Sequence, residues 1–127
     1  MADVSVEIGP MSSKASGIDT DAARTLMRDI AKTRFQKAAG ITVDPKAKVQ
    51  RRYYFDATLN QIEAKGGNTF ATIKGYFAKL PQKNLMGGAT LTTTVGVGGA
   101  RSPAEEAVKE AMSELITKAI PTVLGLK

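Results

Sequence analysis

Apolar and polar residues alternate over Val4-Ser5-Val6-Glu7-Ile8, which predicts a strand with one buried face. Gly9-Pro10 closes it, and the polar stretch through Gly17 reads as loop. The period then changes. Ala23, Met27, Ile30, Ala31, Phe35 and Ala38 recur at helical spacing and predict a helix over 21–39. Asp19 or Thr20 is its expected N-cap, Asp21 suits the positive end of its dipole, and Gly40 suits its C-terminal end.

Ile41-Thr42-Val43 is a short strand candidate ended by Asp44-Pro45. From Tyr53 to Ile62 one face carries Tyr53, Phe55, Ala57 and Leu59, and the other Tyr54, Asp56, Thr58 and Asn60. Lys65-Gly66-Gly67-Asn68 reads as a tight turn, because paired glycines supply the positive φ angles a two-residue hairpin needs. The runs on either side, the second from Thr69 to Leu80, should therefore pair antiparallel. Residues 81–88 read as loop, and the threonine-rich Ala89–Val97 as a third long strand.

Ser102-Pro103-Ala104-Glu105 has the form of a capping box with proline at the first helical position. Ala104, Ala107, Val108, Ala111, Met112, Leu115, Ile116 and Ala119 then mark one apolar face, with Pro121 as the stop. Glu105–Lys109 and Glu114–Lys118 are i,i+4 pairs in the favourable order. The order is β-α-(β)-β-β-β-α. It predicts an α+β fold: a mostly antiparallel sheet with two amphipathic helices on one face, in one domain over residues 1–127.

Composition narrows the chemistry. The chain has neither cysteine nor histidine, so thiolate catalysis, Ser–His dyads and His- or Cys-ligated metals are excluded. The carboxylates Asp56 and Glu63 share a predicted strand at odd spacing, which puts them on opposite faces and argues against a two-carboxylate site. An enzyme is not expected, and neither is a cofactor or metal. No apolar run approaches the length of a membrane span, and Met1-Ala2-Asp3-Val4 lacks the features of a signal peptide. Either the chain begins natively in the cytoplasm, or Met1 replaces a removed periplasmic signal.

The net charge is +6, but residues 24–84 carry +9 against −3 before them and zero after. That basic centre favours an anionic partner or simply keeps the surface solvated. Arg24, Arg28 and Lys32 are spaced by four and form a ridge on the first helix, flanked by Arg34 and Lys37. With Lys46, Lys48, Arg51 and Arg52 they are the candidate phosphate- or partner-binding set. Tyr53, Tyr54, Phe55, Phe70, Tyr76 and Phe77 lie near these bases in sequence, and alternation sends some of them to the outer face. Gly96-Val97-Gly98-Gly99-Ala100-Arg101, between a strand and a helix start, is a candidate anion loop containing Arg101. It lacks the lysine and hydroxyl of a P-loop, and the neighbouring helix end is expected to be capped by Ser102.

The element order, the hairpin from Tyr53 to Leu80 and the closing helix together resemble the amino-terminal domain of TolB and the LpoB-type bacterial envelope lipoproteins. That resemblance implies a non-enzymatic module whose partner is another protein, and no site residue carries over. The lipoprotein cysteine is missing. Residues 90–107 are also similar to the last strand, glycine turn and Ser-led helix of a double-stranded-RNA-binding domain. Here Glu105 and Glu106 stand where that family places lysines, and carboxylates there repel phosphate. Protein binding is therefore the first expectation, and RNA or DNA binding through the basic centre the second.

Overall fold

A computed structural model describes residues 4–44, 46, 48–79, 84–99 and 102–125. The chain runs β1 (Val4–Ile8), β2 (Ser12–Ser13), α1 (Thr20–Lys37), β3 (Ile41–Thr42), β4 (Arg51–Lys65), β5 (Asn68–Lys79), β6 (Asn84–Gly98) and α2 (Pro103–Thr122). The sheet order is β3-β1-β4-β5-β6, with β2 also pairing with β4. The long ladders β4–β5 and β5–β6 are antiparallel. The β1 side is parallel, because α1 carries the chain back across the sheet before β3 and β4 pair with β1. This is the expected α+β class.

The helices form where the periodicity places them. Asp19 caps α1, its carboxylate accepting from the Ala22 N–H at 3.0 Å, and Ala23, Met27, Ala31 and Phe35 are buried. In α2 the buried row is Ala107, Val108, Ala111, Met112, Leu115, Ile116 and Ala119. Both rows enter one core with Tyr53, Phe55, Ala57, Leu59, Ala71, Ile73 and Phe77 from a single face of the sheet. Phe35, Phe55 and Phe77 meet there, with Phe35 edge-on to the other two at 5.4 and 6.2 Å. Gly75 lets α2 approach closely. A Cβ at that position would lie 2.8 Å from Leu115 Cδ2 and 3.1 Å from Phe55 Cε1.

Gly66 and Gly67 turn the β4–β5 hairpin with φ of 60° and 84°, and Lys65 pairs with Asn68. Several boundaries differ from the sequence expectation. The stretch after Gly9-Pro10 is not all loop, since Ser12–Ser13 rejoins the sheet as β2. Within the expected 81–88 loop, residues 84–88 belong to β6. Pro121 does not end α2 before itself but lies in its last turn, one residue before the helix ends at Thr122. Ser102 occupies the N-cap position without a side-chain cap bond, so the capping box is not formed. Of the two i,i+4 pairs, Glu114–Lys118 closes at 3.1 Å.

β4 also carries a register shift between Leu59 and Gln61. The extra residue, Asn60, restores parity, so Asp56 pairs with Tyr76 and Glu63 with Phe70, both on the face away from the helices. The expectation that Asp56 and Glu63 lie on opposite faces is thereby corrected. They remain far apart along the strand, roughly 20 Å at ~3.3 Å per residue.

Candidate functional site

Both helices pack on one face, so the other face of the sheet is a surface of side chains. On it stand Tyr54 and Asp56 of β4, Phe70, Thr72 and Tyr76 of β5, and Thr92 and Thr94 of β6, placed by the alternation along each strand. The Tyr54 and Tyr76 rings meet edge-on at 6.2 Å. The Thr72 and Thr94 hydroxyls share a hydrogen bond of 2.9 Å across β5 and β6. Phe70 lies opposite Gly96, and a Cβ on Gly96 would collide with its ring. Tyr53, Phe55 and Phe77 are core, while Tyr54, Phe70 and Tyr76 are half-buried on this outer face.

At one margin of that face the sheet contains an irregular passage. β1 pairs with β4 in one register through Ile8–Phe55, and β2 resumes at Ser12–Thr58 with one residue more on its own side. The chain absorbs this bulge at 9–11, where Met11 takes φ of 61°, the only positive φ at a non-glycine among the described residues. Three contacts hold it there. The Met11 N–H donates to Asp56 Oδ1 at 2.8 Å, Gly9 N–H donates to the Phe55 carbonyl at 2.7 Å, and Arg24 Nε donates to the Met11 carbonyl at 3.1 Å. The Met11 side chain is 2 % exposed and packs into the core.

Beside the bulge lies a groove of 570 Å³ between α1 and the sheet margin, whose walls include Glu7, Pro10, Asp21, Arg24, Arg28 and Tyr54. Its charges are mixed, two acids against two bases. Burial, then the carboxylate of Asp56 and the neighbouring Tyr76, raise the Tyr54 phenol above the ordinary tyrosine value of 10.0.

The structure divides the basic residues that the sequence grouped. Arg24 and Arg28 face the groove by the bulge, and Arg24 is engaged with the Met11 carbonyl and, at 3.7 Å, with Asp21. Lys32 is exposed one turn beyond Arg28. Arg34 and Lys37 line the cleft between α1 and α2 with Thr117. Arg51 and Arg52 sit opposite Val4 and Ser5, at the other end of β1 from the bulge. Lys46 and Lys48 precede them, exposed, in the β3–β4 connection. Met11 and Val4 are seven strand positions apart, which puts Arg24 and Arg51 roughly 20 Å from each other. Arg101 lies outside the described residues. Among the described residues no cluster of three or more acidic, His or Cys side chains could hold a metal, and no helix is long and apolar enough to cross a membrane.

Sequence reasoning expected some of the aromatic residues on the outer face by alternation, without saying which, and missed the bulge. The one local signal for it was Gly9-Pro10 ahead of a buried methionine.

No protein-family model matches the chain, and no curated protein is recognisably similar in sequence. Solved structures are similar in fold. The hypothetical protein CT253 of Chlamydia trachomatis matches with a TM-score of 0.64 at 7% identity, over 95% of this chain and 98% of that one. The PelC dodecamer of Paraburkholderia phytofirmans matches at 0.54 and 13% identity, over 91% and 87%. A neuraminyllactose-binding hemagglutinin homologue of Helicobacter pylori matches at 0.53 and 9% identity, over 95% and 84%. The chain is thus an α+β protein sharing its fold, nearly end to end, with bacterial proteins of very different sequence.

Proposed function

We propose that this chain is a non-catalytic interaction module of the bacterial envelope that binds another protein across the helix-free face of its sheet. The observation that carries the reading is the half-buried Tyr54–Tyr76 pair on a face that neither helix covers. Aromatic rings of this kind supply large contact area at low entropic cost and are enriched at protein interfaces. The names of two fold neighbours, a dodecamer and a binding protein's homologue, speak of assembly and binding rather than of a reaction. In that coarse sense they support an interaction module, and the element order that resembles the envelope proteins carries the envelope part of the reading. The TolB and LpoB resemblance is its finer form.

Nucleic-acid binding is the weaker alternative, because Arg24 and Arg51 stand at opposite ends of the sheet and Arg24 is engaged with backbone. The test is a photo-reactive residue placed at Tyr76 in the producing cell, with one at exposed Gln36 of α1 as the control. A discrete protein adduct from position 76 and none from position 36 is expected. Titration with labelled single- and double-stranded RNA at ~150 mM salt should show no specific complex, and a sub-micromolar one would overturn the reading.

A further inference from the structure

β6 is the edge of the sheet: among the described residues nothing pairs with its far side. The strand is fifteen residues long, and its stretch from Ala89 to Gly98 pairs regularly with β5. A strand of this length presents alternate backbone N–H and C=O groups outward, a template for another strand. Proteins ordinarily blunt such an edge with a charge, a proline or a bulge aimed outward. Residues 84–98 contain no charged residue and no proline, and the register shift against β5 lies before Ala89, outside the regular stretch. Each of the other long elements, α1, β4, β5 and α2, carries at least two charged residues.

We infer that the β6 edge is a self-association surface, on which β6 of a second copy of this chain pairs antiparallel to continue the sheet. Charge selects this occupant. Two copies, each of net charge +6, repel wherever charged elements meet, and β6 is the long element where they approach without apposing like charges. An acidic segment of another protein would instead be drawn to the basic residues, none of which is on β6. Geometry agrees, because a two-fold axis perpendicular to the sheet at this edge makes the paired strands antiparallel and the contact self-complementary. Opposed residues must share a face. With the axis at Thr93, the middle of the regular stretch, Thr92 meets Thr94 of the second copy on the outer face. Leu91 meets Val95 of the second copy on the core face. Leu91, Val95 and Val97 are only partly buried against the core, and this pairing covers their open flank.

This inference is independent of the sheet-face reading, and sedimentation of the purified chain tests it. The wild type should be dimeric at ~100 µM. Thr90→Lys with Thr92→Lys, both exposed, should weaken self-association at least ~10-fold while leaving the melting temperature and circular dichroism unchanged. Thr33→Lys with Gln36→Lys on α1 adds the same charge and should leave the dimer intact. If the lysine pair on β6 disturbs folding, hydrogen exchange of the wild type replaces it: β6 amides should gain protection with rising concentration while those of Val6–Ile8 do not. A wild type monomeric at ~1 mM, a lysine variant as dimeric as the wild type, or β6 exchange independent of concentration would each overturn the inference. A position-76 adduct to a different protein in the lysine variant would leave the sheet-face reading standing without it.

Discussion

Met11 combines two demands that usually call for different residues. Its φ of 61° favours glycine, and its burial calls for a large apolar side chain. The conflict is resolved by Asp56 and Arg24, which fasten the Met11 N–H and C=O from opposite sides. Met11→Ala keeps the unfavourable φ and loses the packing, so it should destabilise by about 2–5 kcal/mol in chemical denaturation. Met11→Gly loses the packing but relieves the φ, and should cost no more than the alanine variant; a clearly greater loss would mean that the backbone there is not strained. Tyr54 gives the second test at this scale. Its raised pKa means the folded protein holds the neutral phenol more tightly than the unfolded chain does. The stability this contributes is present below the ordinary value of 10.0 and is lost as pH rises through the folded value. Followed by tyrosinate absorbance, the Tyr54 signal should appear above the ordinary range and move down in Asp56→Ala, which removes the neighbouring carboxylate.

Among the elements, α2 closes the core, and its closest approach to the sheet is at Gly75. Leu115→Ala should destabilise by ~2–5 kcal/mol, and a loss below about half a kcal/mol would mean that the helix does not close the core. Gly75→Ala should also destabilise, by ~1–3 kcal/mol, because its Cβ would crowd Leu115 and Phe55. The double variant should cost less than the two summed, since the new methyl occupies room the leucine vacates. Strict additivity would place the two residues out of contact. The apolar face of α2 and the Gly66-Gly67 hairpin were legible in the sequence because each rests on a local period or a local turn requirement. Asn60 was not. Nothing in its neighbours distinguishes a strand that continues from one that gains a residue, and the shift becomes visible only opposite β5. Ser102 misled for a related reason: a hydroxyl at the N-cap position need not turn towards the helix.

At the scale of the whole molecule, the class and layer arrangement followed from the order of periodic segments, two amphipathic helices needing one shared apolar surface. The candidate site was only partly readable. Alternation sent some of the aromatic residues outward without singling out Phe70 or Tyr76, and closeness in sequence grouped basic residues that the fold spreads from one end of the sheet to the other. Arg24 and Arg51 belong to opposite ends of the sheet because β1 and β4 run parallel, and a parallel pairing across α1 is a non-local fact. The open edge of β6 was equally invisible, since being an edge depends on what every other strand does.

That parallel pairing also sets an order in time. Val4 has its partners at Ile41 and Arg51, so β1 leaves the ribosome well before any strand it can join. At ~5–20 residues per second the interval to Arg51 is roughly 2–10 s, and longer by the time the exit tunnel is cleared. Through that interval α1 also lacks the sheet on which to bury Met27 and Phe35. The adjoining β4–β5–β6 meander needs only neighbouring chain, and its short loops close quickly. Until Arg51 emerges, β1 and α1 are therefore kept waiting for the strand on which they dock.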